Sequence, residues 1–174
     1  MMDLLVEGIS PVWSENEGLT AVALGDVWRH PHAGGRGRNL GWVPFHKLTQ
    51  WLGYSLMEPL EWAGLALSRR DVLTGLPEYR NGGLLLDSGV LALQDEAERE
   101  PAWPVGSELV VEWRALTVAL LDELAPLVRE RLGQPDLPLA SILEGGTWAA
   151  GRELAAELRG GEPPFRIQGG GTYF

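Results

Sequence analysis

Apolar residues recur at helical spacing along several stretches of the chain. Phe45, Leu48, Leu52 and Leu56 follow Pro44 three or four residues apart, which predicts a helix opening at Pro44 and ended, or restarted, at Pro59. From Ser107 the series Leu109, Trp113, Leu116, Leu120, Leu124 and Leu127 predicts a long helix stopping at Gly133, with Pro126 kinking or dividing it. Pro138 opens a further helix, and after Gly145-Gly146 the segment from Thr147 to Arg159 pairs Leu154 with Leu158 and stops at Gly160. The tail Phe165-Arg166-Ile167-Gln168, followed by glycines and Thr172-Tyr173-Phe174, reads as a short strand or an extended arm. Residues 1–40 mix a short apolar start with Gly, Pro and charge, ending in the run His30 to Arg38, and read as irregular. The expected class is mainly α with short strand or extended segments, without the strand-helix alternation of a parallel nucleotide-binding sheet.

Length and composition narrow this picture. The chain has 174 residues, 45% of them hydrophobic, enough for a single domain over residues 1–174. No apolar run reaches the ~20 residues of a membrane span, and Met1 to Gly8 carries Asp3 and Glu7 where a signal peptide carries Lys or Arg. A soluble, cytoplasmic protein without a membrane partner is expected. There is no cysteine, and the only histidines are His30, His32 and His46, so neither disulfide nor metal nor other cofactor is expected. A net charge of -10 opposes a nucleic acid polymer as partner, since phosphate neutralisation supplies most nonspecific affinity. The signatures of P-loops, dinucleotide folds, esterases and zinc proteases are all absent. Gly34-Gly35-Arg36-Gly37 lacks the preceding strand and following helix of a phosphate loop.

Three groups of polar residues stand out. Lys47 is the only lysine, and Lys47, Trp51 and Tyr54 share one helical face, either as a cation beside two rings or as a packed aromatic stripe with a snorkelling lysine. Glu78, Tyr79 and Arg80 follow Pro77 and precede Gly82-Gly83, a setting that can hold polar groups rigidly at a pocket wall. Glu112 and Arg114 repeat the E-x-R spacing. The two pairs serve either one buried charged network or ordinary inter-helix salt bridges.

Four strings resemble the uracil catabolism protein 4 family: Val43-Pro44-Phe45-His46-Lys47-Leu48-Thr49-Gln50-Trp51-Leu52; Leu73-Thr74-Gly75-Leu76-Pro77-Glu78-Tyr79-Arg80-Asn81-Gly82-Gly83-Leu84; Val111-Glu112-Trp113-Arg114-Ala115-Leu116-Thr117; and Leu143-Glu144-Gly145-Gly146-Thr147-Trp148-Ala149-Ala150-Gly151-Arg152. The match begins near Val12 and runs to the end. Because family members carry an additional N-terminal part, the chain is expected to be the C-terminal part of a longer protein. The closing Gly-Gly-Gly-Thr-Tyr-Phe departs from the family's usual ending, which has an aspartate before glycine.

The resemblance implies a place in pyrimidine breakdown, in which a uracil nucleotide is ring-opened and its nitrogen leaves as urea. The same motif order is similar, more remotely, to the queuosine nucleotide salvage hydrolases, which have a helix-hairpin-helix DNA-glycosylase-like fold and cleave an N-glycosidic bond. That second resemblance implies a small phosphorylated, ribose-containing substrate, with Glu78 and Lys47 catalytic. It also implies substrate binding at the matching positions Gln50, Tyr79, Arg80, Glu112 and Arg114; Trp148 is expected to line the pocket with Tyr79, and His46 is either a substrate-side proton donor or a capped helix residue. Glu78 stands where that family has Asp. A non-catalytic binding or scaffold role, with the missing N-terminal half or other pathway enzymes as partners, is the competing expectation.

Overall fold

Helices make up most of the computed structural model, which describes residues 1–9 and 24–168, and the mainly α expectation holds. The chain divides into two compact units, Met1–Thr74 and Gly75–Phe174.

In the first unit, helix α1 (Met2–Ile9) packs on helix α2 (Lys47–Trp62), with Met2 close to the Cα of Gly53. Residues 2–9, read from the sequence as irregular, are therefore helical. Strands β1 (Val27–Arg29) and β2 (Trp42–Pro44) pair antiparallel, with Val27 opposite Pro44. This pairing takes Pro44 out of the helix it was expected to open, and α2 begins only at Lys47. Nor does Pro59 end α2, which continues to Trp62. Its ring frees the carbonyl of Ser55 one turn earlier, but both residues are exposed, where a freed carbonyl costs little.

The second unit is built on helix α4 (Glu108–Leu132), with α3 (Tyr79–Asp87) and α6 (Ala149–Arg159) packed on each other. Gly133 ends α4 in the left-handed conformation, φ 64°, as expected of a C-terminal glycine. Pro126 does not divide the helix, again because it and Asp122 one turn earlier are exposed. The leucine series does not mark the buried face. Leu116 and Leu127 are exposed, and the inward face carries Val110, Trp113, Arg114, Thr117, Leu121 and Ala125. The same displacement occurs on α6, where Gly151 and Ala155 point inward and Leu158 is exposed.

A short helix α5 (Leu139–Ile142) follows Pro138 and passes directly into a π-helical turn, Leu143–Trp148, before α6. Strands β3 (Ala102–Trp103) and β4 (Arg166–Ile167) pair in parallel. The core joins Leu86, Val110, Trp113 and Phe165, the last two rings lying 4.3 Å apart. Asp87 and Arg159 clamp α3 to α6 with two hydrogen bonds of 2.6 and 2.7 Å. The Gly169–Phe174 part of the tail lies outside the described residues. No described helix is long and apolar enough to cross a membrane.

Candidate functional site

The sequence-derived candidates fall into one group in each unit. In the first unit, His46 stands at the turn between β2 and α2 with φ 48°, the left-handed region that non-glycine residues seldom enter. Its side chain does not cap the helix. The wholly buried Asp26 does so from 21 residues upstream: one carboxylate oxygen accepts the Lys47 N–H at 3.0 Å, and the other accepts the Trp28 indole N–H at 2.7 Å. The Asp26 carbonyl also accepts the N–H groups of Phe45 and His46. One acidic residue thus organises the entry to α2, and the sequence reading missed it because no local spacing connects 26 with 47. Burial lowers the His46 pKa from its ordinary value, with the negative charge of Asp26 opposing that effect in part. A neutral imidazole is a weak proton donor near neutral pH.

Lys47 is buried. Trp51, one turn further on, is exposed, while Tyr54 donates its hydroxyl to the Thr74 carbonyl at 2.8 Å. The three side chains on that face therefore meet different surroundings. Gln50 donates to the Phe45 carbonyl and the Thr74 hydroxyl, and accepts from the Thr74 N–H at 2.8 Å. Its amide thereby ties the irregular segment at Thr74 to the start of α2.

The second unit gathers Glu78, Tyr79, Arg80 and Trp148. Glu78 is the N-cap of α3: one carboxylate oxygen accepts the Asn81 N–H at 2.6 Å and the other the Arg80 N–H at 3.0 Å. The Pro77 turn sets the entry, with the Glu78 N–H returning to the Leu76 carbonyl. Two backbone donors at a helix N-terminus hold a carboxylate in one orientation. The Arg80 guanidinium lies 3.7 Å from the same carboxylate. It is flanked by two rings, 4.4 Å from the centroid of Tyr79 and 4.6 Å from that of Trp148. Arg152 approaches Trp148 as well, at 4.7 Å.

Arg114 and Glu112 are not brought together. Arg114 is wholly buried and donates to the Pro77 carbonyl at 3.3 Å, just upstream of Glu78, whereas Glu112 is exposed on another side of α4. Two residues along a helix turn the side chain by roughly 200°, so an E-x-R pair there faces two ways. Arg114 supports the Pro77 turn from behind. Arg152 was quoted within a motif but given no role. Its signal was present in the sequence, one turn after Trp148. Among the described residues, no group of three or more His, Asp or Glu could hold a metal ion.

A helical chain carrying this capped carboxylate and stacked arginine matches, over residues 1–174, the family described as Protein of unknown function (DUF1688), and the chain belongs to that family. Among curated proteins it is similar to Uracil catabolism protein 4 of Lachancea kluyveri, 40% identical over 194 aligned residues covering 98% of this chain and 44% of the relative. It is likewise similar to Protein urg3 of Schizosaccharomyces pombe, 42% identical over 175 residues covering 94% and 41%. The resemblance read from the four strings is therefore confirmed. The chain spans less than half the length of these relatives. No solved structure matches it significantly.

Proposed function

We propose that the chain belongs to a protein of uracil catabolism that hydrolyses the N-glycosidic bond of a ribosylurea 5-phosphate-like intermediate. The name of one relative, Uracil catabolism protein 4, supports the pathway. The observation that carries the reaction is Glu78, a carboxylate fixed by two backbone N–H groups beside the stacked Arg80 guanidinium. In this reading water adds its oxygen to the anomeric carbon as the carbon–nitrogen bond breaks. The bonding pair leaves with the nitrogen, which takes up a proton, and the products are ribose 5-phosphate and urea. Positive charge builds on the sugar in the transition state, and a rigid anion stabilises it without reorganising. Arg80 binds the phosphate, with Tyr79 and Trp148 as apolar walls. Lys47 enters this reading from the sequence resemblance alone, and replacing it by Met tests its share.

A second reading, a non-catalytic binding or scaffold module, draws on the same geometry. Both Glu78 oxygens already accept backbone N–H groups, which is sufficient employment for a structural cap. The deciding assay is urea release from ribosylurea 5-phosphate by this chain and by the longer Lachancea kluyveri relative, each with its Glu78 counterpart changed to Gln. The hydrolase reading expects a loss of about a hundredfold or more in folded protein. Absence of release from the longer relative rejects hydrolysis and leaves the binding reading.

A further inference from the structure

Several arginines of the described chain have an evident oxygen partner. Arg70, Arg99 and Arg159 pair with carboxylates, and Arg114, Arg129 and Arg166 donate to backbone carbonyls. Arg80 and Arg152 are distinguished by sharing one ring: Arg80, paired at 3.7 Å with Glu78, lies 4.6 Å from the Trp148 centroid, and Arg152 lies 4.7 Å from it. Arg152 lies over the Trp148 ring, and the buried Nε of Arg80 has no hydrogen-bond partner among the described residues. The nearest anion to Arg80, Glu78, is already shared between two backbone N–H groups. Two like charges are thus drawn to one indole in a chain of net charge -10.

The platform beneath them is unusual too. Trp148 closes the π-helical turn Leu143–Trp148, a widened geometry found frequently at functional sites. Gly145 and Gly146 lie within it, although neither has a positive φ and a Cβ at either would meet nothing within 4 Å. Neither packing nor backbone conformation requires glycine there, and glycine weakens a helix relative to alanine. What two glycines provide is open backbone that a ligand can approach. The buried hydroxyl of Thr147, in the same turn, has no hydrogen-bond partner among the described residues.

We infer that Arg152 and Arg80, gathered around Trp148 on the π-helical turn, form a two-guanidinium clamp for a phosphate monoester dianion. The inference rests on the reading above in taking Arg80 as a phosphate ligand, and adds Arg152 and the Gly145-Gly146 turn. Planar guanidinium groups suit the oxygens of a phosphate, and the indole holds both without neutralising either.

The test is calorimetric titration of the whole chain with ribose 5-phosphate, ribose and inorganic phosphate, with thermal unfolding as a check that each variant is folded. Ribose 5-phosphate is expected to bind more tightly than ribose. Arg152→Gln should weaken it about ten- to a hundredfold, Arg152→Lys by less, and the charge-matched change Arg131→Gln on the exposed end of α4 not at all. Unchanged affinity in Arg152→Gln, an equal loss in Arg131→Gln, or no binding of either phosphate by the parent chain overturns the clamp. Arg152-dependent binding without urea release upholds the clamp and rejects hydrolysis. Urea release with an unaltered KM in Arg152→Gln upholds hydrolysis and rejects the clamp.

Discussion

Gly151 of α6 lies directly against the carbonyl oxygen of Arg80, so close that a Cβ at 151 would stand 2.0 Å from it. The two helices touch backbone to backbone at the residue that carries the stacked guanidinium. Gly151→Ala must therefore push α3 and α6 apart. We expect a loss of about 3 kcal/mol in stability, together with weakened binding of ribose 5-phosphate. Urea denaturation and calorimetry measure the two effects. An alanine variant of parental stability would show that the helices separate freely.

Glu78→Asp separates the structural from the chemical role of that carboxylate. Aspartate is a preferred N-cap, so the unfolding temperature should remain within a few degrees of the parent's, by about 4 °C at most. The shorter side chain nevertheless withdraws the negative charge from any substrate. Urea release is expected to fall by about tenfold or more under the hydrolase reading, and an undiminished rate would remove Glu78 from the chemistry.

Asp26→Ala should destabilise the first unit by about 2–4 kcal/mol, because the Lys47 N–H and the Trp28 indole N–H both lose their acceptor in a buried site. Asp26→Asn, which keeps one good acceptor, should cost less. Denaturant midpoints of the two variants give the ordering, and equal costs would mean that capping is not what the carboxylate contributes.

His46 supplies a pH signature. Its folded-state pKa lies below the ordinary 6.5 because burial disfavours the imidazolium. The unfolded chain therefore binds this proton more tightly, and its contribution to stability is present above pH 6.5 and lost as pH falls through the lowered value. His46→Asn, which tolerates the left-handed backbone, should make the denaturant midpoint less sensitive to acidification between pH about 7.5 and about 5. An unchanged slope would assign the acid sensitivity to other groups.

Helices α2, α4 and α6 were legible in this sequence, whereas α1, α3 and the facing of α4 and α6 were not. Gly133 and Gly160 mark their helix ends by punctuation that acts locally, and both carry the positive φ expected of them. The buried face of α4 was hidden because it includes Arg114 and Thr117, which hydrogen-bond to the Pro77 and Trp113 carbonyls. A hydrophobic pattern cannot register a polar residue that is buried with its hydrogen bonds made. Gly82 belongs to the same class: a Cβ there would meet the Trp113 ring at 2.7 Å, a contact set by tertiary packing.

The site was read in the same uneven way. Glu78, Tyr79, Arg80 and Trp148 were singled out, and they lie in one unit with Arg80 against both rings. The onset of α2 was placed too early because the β1–β2 pairing and the Asp26 cap are long-range. The π-helical turn was illegible for a different reason: Gly145-Gly146 ordinarily signals an interruption, whereas here the helix widens and continues.

Phe165 occupies the core of the second unit beside Trp113, and β4 follows it immediately to pair with β3 across more than sixty intervening residues. During synthesis, then, Leu86, Val110 and Trp113 leave the ribosome well before the ring that covers them. The nascent chain carries an unfinished apolar surface throughout the making of α4, α5 and α6, and that surface is closed only when the last ring arrives.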